Sequence, residues 1–298
     1  MKVMRRLVPL LLLPVGLGVQ AQTESQGVVG VRGALLSYSD EAVRERLASG
    51  GFFLDLDDRE SGGFRLALGR DAIRYRDAST MDQDTALVGG RLYIPLGAGQ
   101  GKLVIQGDLG RVTFQEQGLA KQTATISGAH LGYLSDIHPE FARLWLDLGF
   151  IQSRYDGGLR AEQWSPTLGF GVNDNMDWFT LGADAITLKG TGGPEEQTTA
   201  FKASWTHYFV PGAGMKPRSI YLSGLAGERI YAADTDLAII YTLGDYQTGR
   251  WAFGATWGGA KGAGFSLEAG SSRFEDRTTT PVTSYTTPFV AASIHYTW

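Results

Sequence analysis

Val290, Ala292, Ile294, Tyr296 and Trp298 recur at every second position through the last nine residues, with Ala291, Ser293, His295 and Thr297 between them. Successive side chains of an extended strand point to opposite sides, so this segment carries one apolar and aromatic face and one small or polar face. The sequence closes on Trp298, with no polar tail to hold the apolar face in water. Ends of soluble domains are usually frayed and polar. The segment therefore demands a core or a hydrocarbon phase against it.

The other end of the chain points to a compartment. Lys2, Arg5 and Arg6 precede an apolar run, Leu7 to Val19, that Pro9, Pro14 and two glycines interrupt. Val19-Gln20-Ala21 follows with small residues at the positions a signal peptidase reads. This run is too short and too broken to cross about 30 Å of hydrocarbon as a helix. Residues 1–21 are expected to be a secretory signal peptide cleaved after Ala21, and residues 22–298 a single domain. There is no cysteine, which excludes lipoprotein processing and disulfides. With Lys2, Arg5 and Arg6 removed, 24 basic residues face 31 acidic ones, a net of −7. That balance argues against nucleic acid as a partner.

Period-two alternation runs through much of the chain. Trp251, Phe253, Ala255 and Trp257 alternate with Ala252, Gly254, Thr256 and Gly258, and Leu144, Leu146, Leu148 and Phe150 with Arg143, Trp145, Asp147 and Gly149. Phe52, Leu54 and Leu56 oppose Phe53, Asp55 and Asp57, while Phe64, Leu66 and Leu68 oppose Arg65, Ala67 and Gly69. Charge on one side only is the mark of a two-sided strand. Beyond residue 21 no apolar run reaches the 18 or so residues of a membrane helix, and the mean hydropathy is only −0.11. A transmembrane barrel has such a bland average because apolar outward residues alternate with polar inward ones.

With its terminal aromatic, and apolar or aromatic residues two and four positions earlier, the C-terminal segment resembles the closing strand of Gram-negative outer-membrane β-barrels, the porin-like superfamily. The resemblance implies that Ile294, Tyr296 and Trp298 form the insertion signal read by the barrel-assembly machinery. It also implies outer-membrane lipid and lipopolysaccharide as partners. The expected fold is all-β, a transmembrane antiparallel barrel of about 14 strands, within a range of about 12–16. A soluble β-sandwich is the alternative, and it requires Trp251, Phe253, Trp257, Ile294, Tyr296 and Trp298 to be buried.

Strands are expected at 27–38, 51–58, 62–76, 83–95, 102–115, 121–134, 142–155, 161–173, 176–189, 198–210, 218–231, 235–243, 249–258, 262–274 and 285–298. Tyr93, Tyr133, Tyr155, Trp164, Trp178, Trp205, Tyr208, Tyr231, Tyr241 and Tyr285 gather near strand ends, where interfacial girdles would place them. A short helix is expected at Asp40–Ala48, N-capped by Ser39 and stopped by Ser49-Gly50-Gly51, as a loop feature or plug. An odd number of strands conflicts with the even number usual in bacterial barrels. The linkers Arg76–Asp84, Gln115–Gln122, Arg154–Gln163 and Lys189–Thr199 read as extracellular, and Pro95–Gly101, Asn173–Asp177 and Pro211–Pro217 as periplasmic turns. Counting back from a periplasmic C-terminus assigns both sets the wrong way round. One strand is therefore miscounted, with the glycine-rich stretch 244–264 and the N-terminal 27–38 as the suspects.

Residues expected to project into the lumen and tune selectivity are Asp55, Asp57, Arg65, Arg143 and Asp147, whose mixed signs suit a water-filled or partly plugged pore. The leading function is a passive porin-like channel for small polar solutes, or an export pore, with no cofactor and no metal. Two alternatives compete with it. A hydrolase of the omptin kind would use Asp55-Leu-Asp57 and Asp136-Ile-His138, two same-face pairs able to activate a water. A non-conducting structural barrel would fill its own lumen. Lipid-modifying chemistry has little support, since the His-x-Ser-Asn signature of barrel phospholipases is absent and Ser127 and His130 fall on opposite strand faces. The Gly-x-Gly occurrences at Gly169–Gly171 and Gly212–Gly214 lie in strand or turn contexts and signal no nucleotide site.

Overall fold

The structure is a computed structural model that describes residues 26–298 apart from 40–41, 59, 98–100, 136–142, 191–195, 211–215, 236–238, 241–243 and 259–260. The expected signal peptide lies outside the described residues. Fourteen antiparallel strands close into a barrel: β1 (Gln26–Ser37), β2 (Arg44–Asp58), β3 (Gly62–Tyr75), β4 (Thr80–Pro95), β5 (Lys102–Glu116), β6 (Gln122–Leu134), β7 (Arg143–Tyr155), β8 (Arg160–Val172), β9 (Asp177–Lys189), β10 (Glu196–Tyr208), β11 (Ser219–Arg229), β14 (Tyr246–Gly258), β15 (Gly262–Asp276) and β16 (Thr283–Thr297). Two short segments, β12 (Ala233–Asp234) and β13 (Ile239–Ile240), pair only with each other.

Each barrel strand pairs with its neighbours in sequence order, except that β11 pairs across to β14 and β1 closes on β16. The closing seam sets Val31 against Ile294 and Val29 against Tyr296. It reaches the last residue, where Gly27 N–H donates to Trp298 O at 3.2 Å and Trp298 N–H donates to Gly27 O at 3.0 Å. Closure leaves no sheet edge, the condition for a strand protein to sit in hydrocarbon without unpaired backbone.

The faces are those of a membrane barrel. Trp251, Phe253, Ile294, Tyr296 and Trp298 are 56, 50, 64, 53 and 47 % exposed, while Ala252, Ala291, Ser293 and Thr297 are buried. This excludes the sandwich, which needs those same aromatics in a core. On the outer wall Trp257 stacks on Phe265 with ring centroids 4.4 Å apart, and Phe150 tilts against Trp164 at 4.8 Å. The girdle expectation is met only in part. Tyr133, Trp164 and Trp205 lie on the outer faces of their strands, but Tyr93, Tyr155 and Tyr285 turn inward and engage lumen partners.

Two expectations are corrected. The helix at Asp40–Ala48 is absent where it can be described: Arg44–Ala48 belong to β2, and Leu47 faces Leu36 on one side and Ile73 on the other. A register shift between Arg44 and Arg46 leaves Glu45 and Arg46 both exposed between the buried Arg44 and Leu47. This bulge breaks the period-two pattern, so local propensity suggested a helix that ladder pairing overrides. Asp40 itself lies outside the described residues. The miscounted strand is 235–243, neither 244–264 nor 27–38. Its place is taken by the β12–β13 excursion inside the β11–β14 connection, so fourteen strands remain.

With that correction the loops fall into two consistent sets. The turns after β4, β8 and β10 share the end at which β1 begins and β16 finishes, the terminal end. The turns after β3, β5, β7 and β9 share the opposite, distal end. At the terminal end Asn173, Asp174 and Asn175 make a tight turn with φ of 51°, 56° and 63°, a region Asn and Asp tolerate better than most residues.

Candidate functional site in the lumen

Alternation points every second side chain of the fourteen strands into the barrel, and these inward residues divide by depth. The distal half is apolar. Leu36, Leu47, Ile73, Met81, Phe114, Ile126, Ile151, Ile186 and Phe274 are buried there, each at most 3 % exposed. An antiparallel barrel of this girth is too wide to be filled by wall side chains alone. The difference is made up by residues 230–235 of the β11–β14 connection, which lie in the lumen.

Residues 230–235 of that connection are the plug. Ile230, Ala232, Ala233 and Thr235 are buried, and the Tyr231 ring meets the Tyr155 ring edge-on at 5.1 Å. Burial pushes the Tyr231 hydroxyl up to about 12, so it stays neutral. Gln163 on β8 holds the segment at both polar atoms of one residue: its Nε2 donates to Ala233 O at 3.0 Å and its Oε1 accepts from Ala233 N–H at 2.9 Å. Thr235 Oγ1 lies 3.3 Å from His130 Nε2. The returning limb is tied at Asp245, whose carboxylate accepts from Arg44 Nη1 and from the Tyr285 hydroxyl, each at 2.5 Å. The expectation of a plug from residues 40–48 is thus corrected in place: the inward segment comes from the β11–β14 connection.

Below the apolar half lies a belt of paired charges. Arg65 Nη2 donates to Asp108 Oδ1 at 3.0 Å, and His130 Nδ1 sits 2.9 Å from Asp147 Oδ2. Asp184, with a side chain fully buried, takes Lys202 at 2.7 Å and Arg229 at 3.2 Å. Arg250 reaches Glu268 at 2.7 Å, and the Tyr221 hydroxyl donates to the same carboxylate. Two glycines make room for this belt. A Cβ at Gly89 would fall 2.2 Å from Asp108 Oδ1, and one at Gly149 would fall 2.7 Å from the His130 ring.

Beside the belt a cavity of about 300 Å³ remains. His130, Asp147, Lys202, Arg229, Thr235 and Arg250 are among its lining residues. Both charge signs face it, and nearly every charge already has a protein partner, which is the low-cost way to hold ions in a barrel interior.

All five residues expected in the lumen can be placed. Arg65 and Asp147 sit in the charge belt. Asp55 and Asp57 lie nearer the terminal end: Arg91 Nη2 donates to both oxygens of Asp55 at 2.8 Å, and the Tyr93 hydroxyl donates to Asp57 at 3.0 Å. Arg143 is half-buried at the start of β7, on the strand face opposite the outward Leu144, Leu146 and Leu148. For the hydrolase alternative, Asp136 and His138 lie outside the described residues, and Asp55 and Asp57 are engaged by Arg91 and Tyr93. Ile294, Tyr296 and Trp298 project from the outer wall.

Sequence reading missed Asp108, Asp184, Lys202, Arg229, Arg250, Glu268 and Gln163. The signal for Asp108 was present in Val104, Gln106 and Asp108 alternating with Leu103, Ile105 and Leu109. Asp184 lies between Ala183 and Ala185, too small to mark an outward face.

No family model matches the sequence, and no curated protein does. Solved structures do. The toluene transporter TodX of Pseudomonas putida is similar over 93 % of this chain and 90 % of its own, at 8 % identity and a TM-score of 0.55. The CymD monoaromatic hydrocarbon channel is similar over 93 % and 89 %, at 7 % identity and a TM-score of 0.55. OccK7 (OpdD) of Pseudomonas aeruginosa covers 93 % and 99 % at 12 % identity, with a TM-score of 0.44. At such identities the likeness is one of fold, and that fold is the transmembrane antiparallel β-barrel of outer-membrane proteins.

Proposed function

We propose that the protein is an outer-membrane channel for small polar solutes, occluded in this conformation by residues 230–235. The terminal end then faces the periplasm and the distal end the outside. The observation that carries the reading is the cavity of about 300 Å³ at the charge belt, polar and of both signs, beneath the inward segment. A barrel built only for structure needs neither a polar cavity nor a segment tied by reversible hydrogen bonds. Solutes would be sorted by size and by the fixed charges of Arg65, Asp147, Lys202 and Arg250, with Asp55, Asp57 and Arg143 nearer the periplasmic mouth. No cofactor enters such a mechanism. Whether flow is inward or outward is decided by the gradient, so uptake and export share the same machinery.

A second reading draws on the apolar distal half. Met81, Phe114, Ile126, Ile151 and Phe274 would suit an apolar solute, the kind named for TodX and CymD. Single-channel recording of the refolded protein in a planar bilayer, with salt gradients in both directions, tests the leading reading. Brief but reproducible ion-conducting steps are expected. Folded, inserted protein that never conducts would remove the polar-solute channel and leave the apolar-solute or structural barrel.

A further inference from the structure

We propose that the outer wall of β5–β9 carries a docking surface for the phosphorylated headgroup of an outer-leaflet lipid, formed by Arg111, Arg154, Arg160 and Lys189. The inference rests on the outer-membrane placement given above, and it is independent of what the lumen conducts.

Register brings these residues together. Arg111 on β5 faces Thr125 on β6, Thr125 faces Arg154 on β7, Arg154 faces Arg160 on β8, and Arg160 faces Lys189 on β9. Neighbouring strands are about 4.8 Å apart, so five consecutive outward positions make one continuous row of four cations and a hydroxyl. Lys121, exposed in the β5–β6 turn, adds a fifth cation nearby.

The row begins where the apolar band stops. Below Arg111 the next outward residue is Leu109, 62 % exposed. Below Arg154 and Arg160, after Gln152 and Glu162, come Phe150 and Trp164, the tilted aromatic pair on the outer wall. An aromatic pair under a basic row is the order in which a bilayer presents its acyl boundary and its phosphates.

Among the described residues the row has fewer carboxylates than cations. Glu162 is shared between Arg160 at 3.1 Å and Lys189 at 2.9 Å. Arg154 Nε donates only to an uncharged group, Gln152 Oε1 at 2.7 Å, and among the described residues nothing pairs with Arg111. Of the acids nearby, Asp156 accepts from Thr123 N–H at 2.7 Å in the β7–β8 turn, and Asp84 on β4 lies 4.0 Å from Arg70. Elsewhere on the distal rim the balance differs. On β2–β4 Arg70 meets Asp82 at 3.0 Å and Arg74 meets Glu45 at 3.2 Å, so that sector is closed by its own carboxylates. Guanidinium groups bind phosphate through paired N–H donors, which is why a row rich in arginine selects phosphate over other lipid features.

The test uses the full mature barrel refolded in neutral detergent, with diphosphoryl lipid A and fully dephosphorylated lipid A as probes and native mass spectrometry as the readout. Wild type is expected to retain the diphosphoryl form, and the R111Q/R154Q/R160Q/K189Q variant to bind it roughly tenfold more weakly. The R70Q/R74Q variant should bind as wild type does. Heat-modifiable migration on gels checks that each barrel is folded, and the single variants R160Q and K189Q, each expected to weaken binding in the same direction, replace the quadruple one if it fails that check. Equal binding of the two lipids by wild type, or unchanged binding by the folded variants, would overturn the docking surface. Failure of wild type to enter lipid vesicles would instead overturn the membrane placement on which it rests.

Discussion

Gln163 and Ala233, seventy residues apart, exchange two hydrogen bonds, with the Gln163 amide donating to the Ala233 carbonyl at 3.0 Å and accepting its N–H at 2.9 Å. A wall side chain thereby imitates a strand partner for the segment that fills the lumen. Each such bond contributes on the order of 1 kcal/mol, so the pair can shift an open–closed balance about tenfold or more without setting the fold. Gln163→Ala is expected to speed the entry of arabinose into protein-loaded liposomes several-fold, followed by light scattering as the vesicles swell. An unchanged rate would show that the contact does not hold the channel shut.

The lumen charges predict a selectivity shift with a definite sign. Asp55→Asn with Asp57→Asn leaves the Arg91 guanidinium without its carboxylates near the terminal end. The reversal potential in a potassium chloride gradient should move toward chloride. Lys202→Gln should move it toward potassium, because Asp184 then retains only Arg229. Shifts of the same sign from both variants would refute these residues as the source of selectivity.

Gly89 stands where Arg65 and Asp108 meet, with room for no side chain. Gly89→Ala is expected to destabilise the barrel by about 1–3 kcal/mol, the usual cost of overpacking an interior. A lower urea midpoint for loss of tryptophan fluorescence in lipid vesicles would register it. Gly50→Ala, at a position where a Cβ would meet nothing within 4 Å, serves as the comparison and should shift far less.

The closing strand makes a prediction about biogenesis. Trp298→Ala, or deletion of Tyr296–Trp298, should lower the amount of heat-modifiable protein in the outer membrane several-fold. Refolding of the same variants in detergent should suffer less, since Tyr296 and Trp298 face outward at about half exposure and only Thr297 points into the interior. Normal outer-membrane yield would count against a terminal insertion signal.

The wall and several of its inward charges were legible in the sequence; the inward segment and the ion pairs were not. Wall strands show themselves because hydrocarbon outside and a polar interior impose opposite demands on successive residues, as Leu144 to Phe150 display. The conflict between strand count and loop polarity also pointed to the true error, since removing one strand restores both. Its location was hidden because the run 235–243, rich in Ile, Leu and Tyr, reads as a buried strand. Residues of a connection and residues that build a wall can share the same composition. The β2 bulge at Arg44–Arg46 concealed a strand for the opposite reason, by putting two exposed residues in succession. The ion pairs depended on register between distant strands: nothing local to Asp184 announces Lys202 or Arg229.

If residues 230–235 occlude a conducting barrel, removing them opens it. Replacing residues 231–244 with a short glycine-serine turn, and recording single-channel conductance beside wild type in a planar bilayer, tests it most directly. Small or infrequent steps are expected from wild type, and large, long-lived openings from the shortened barrel. A shortened barrel that is folded, inserted and as quiet as wild type would contradict it.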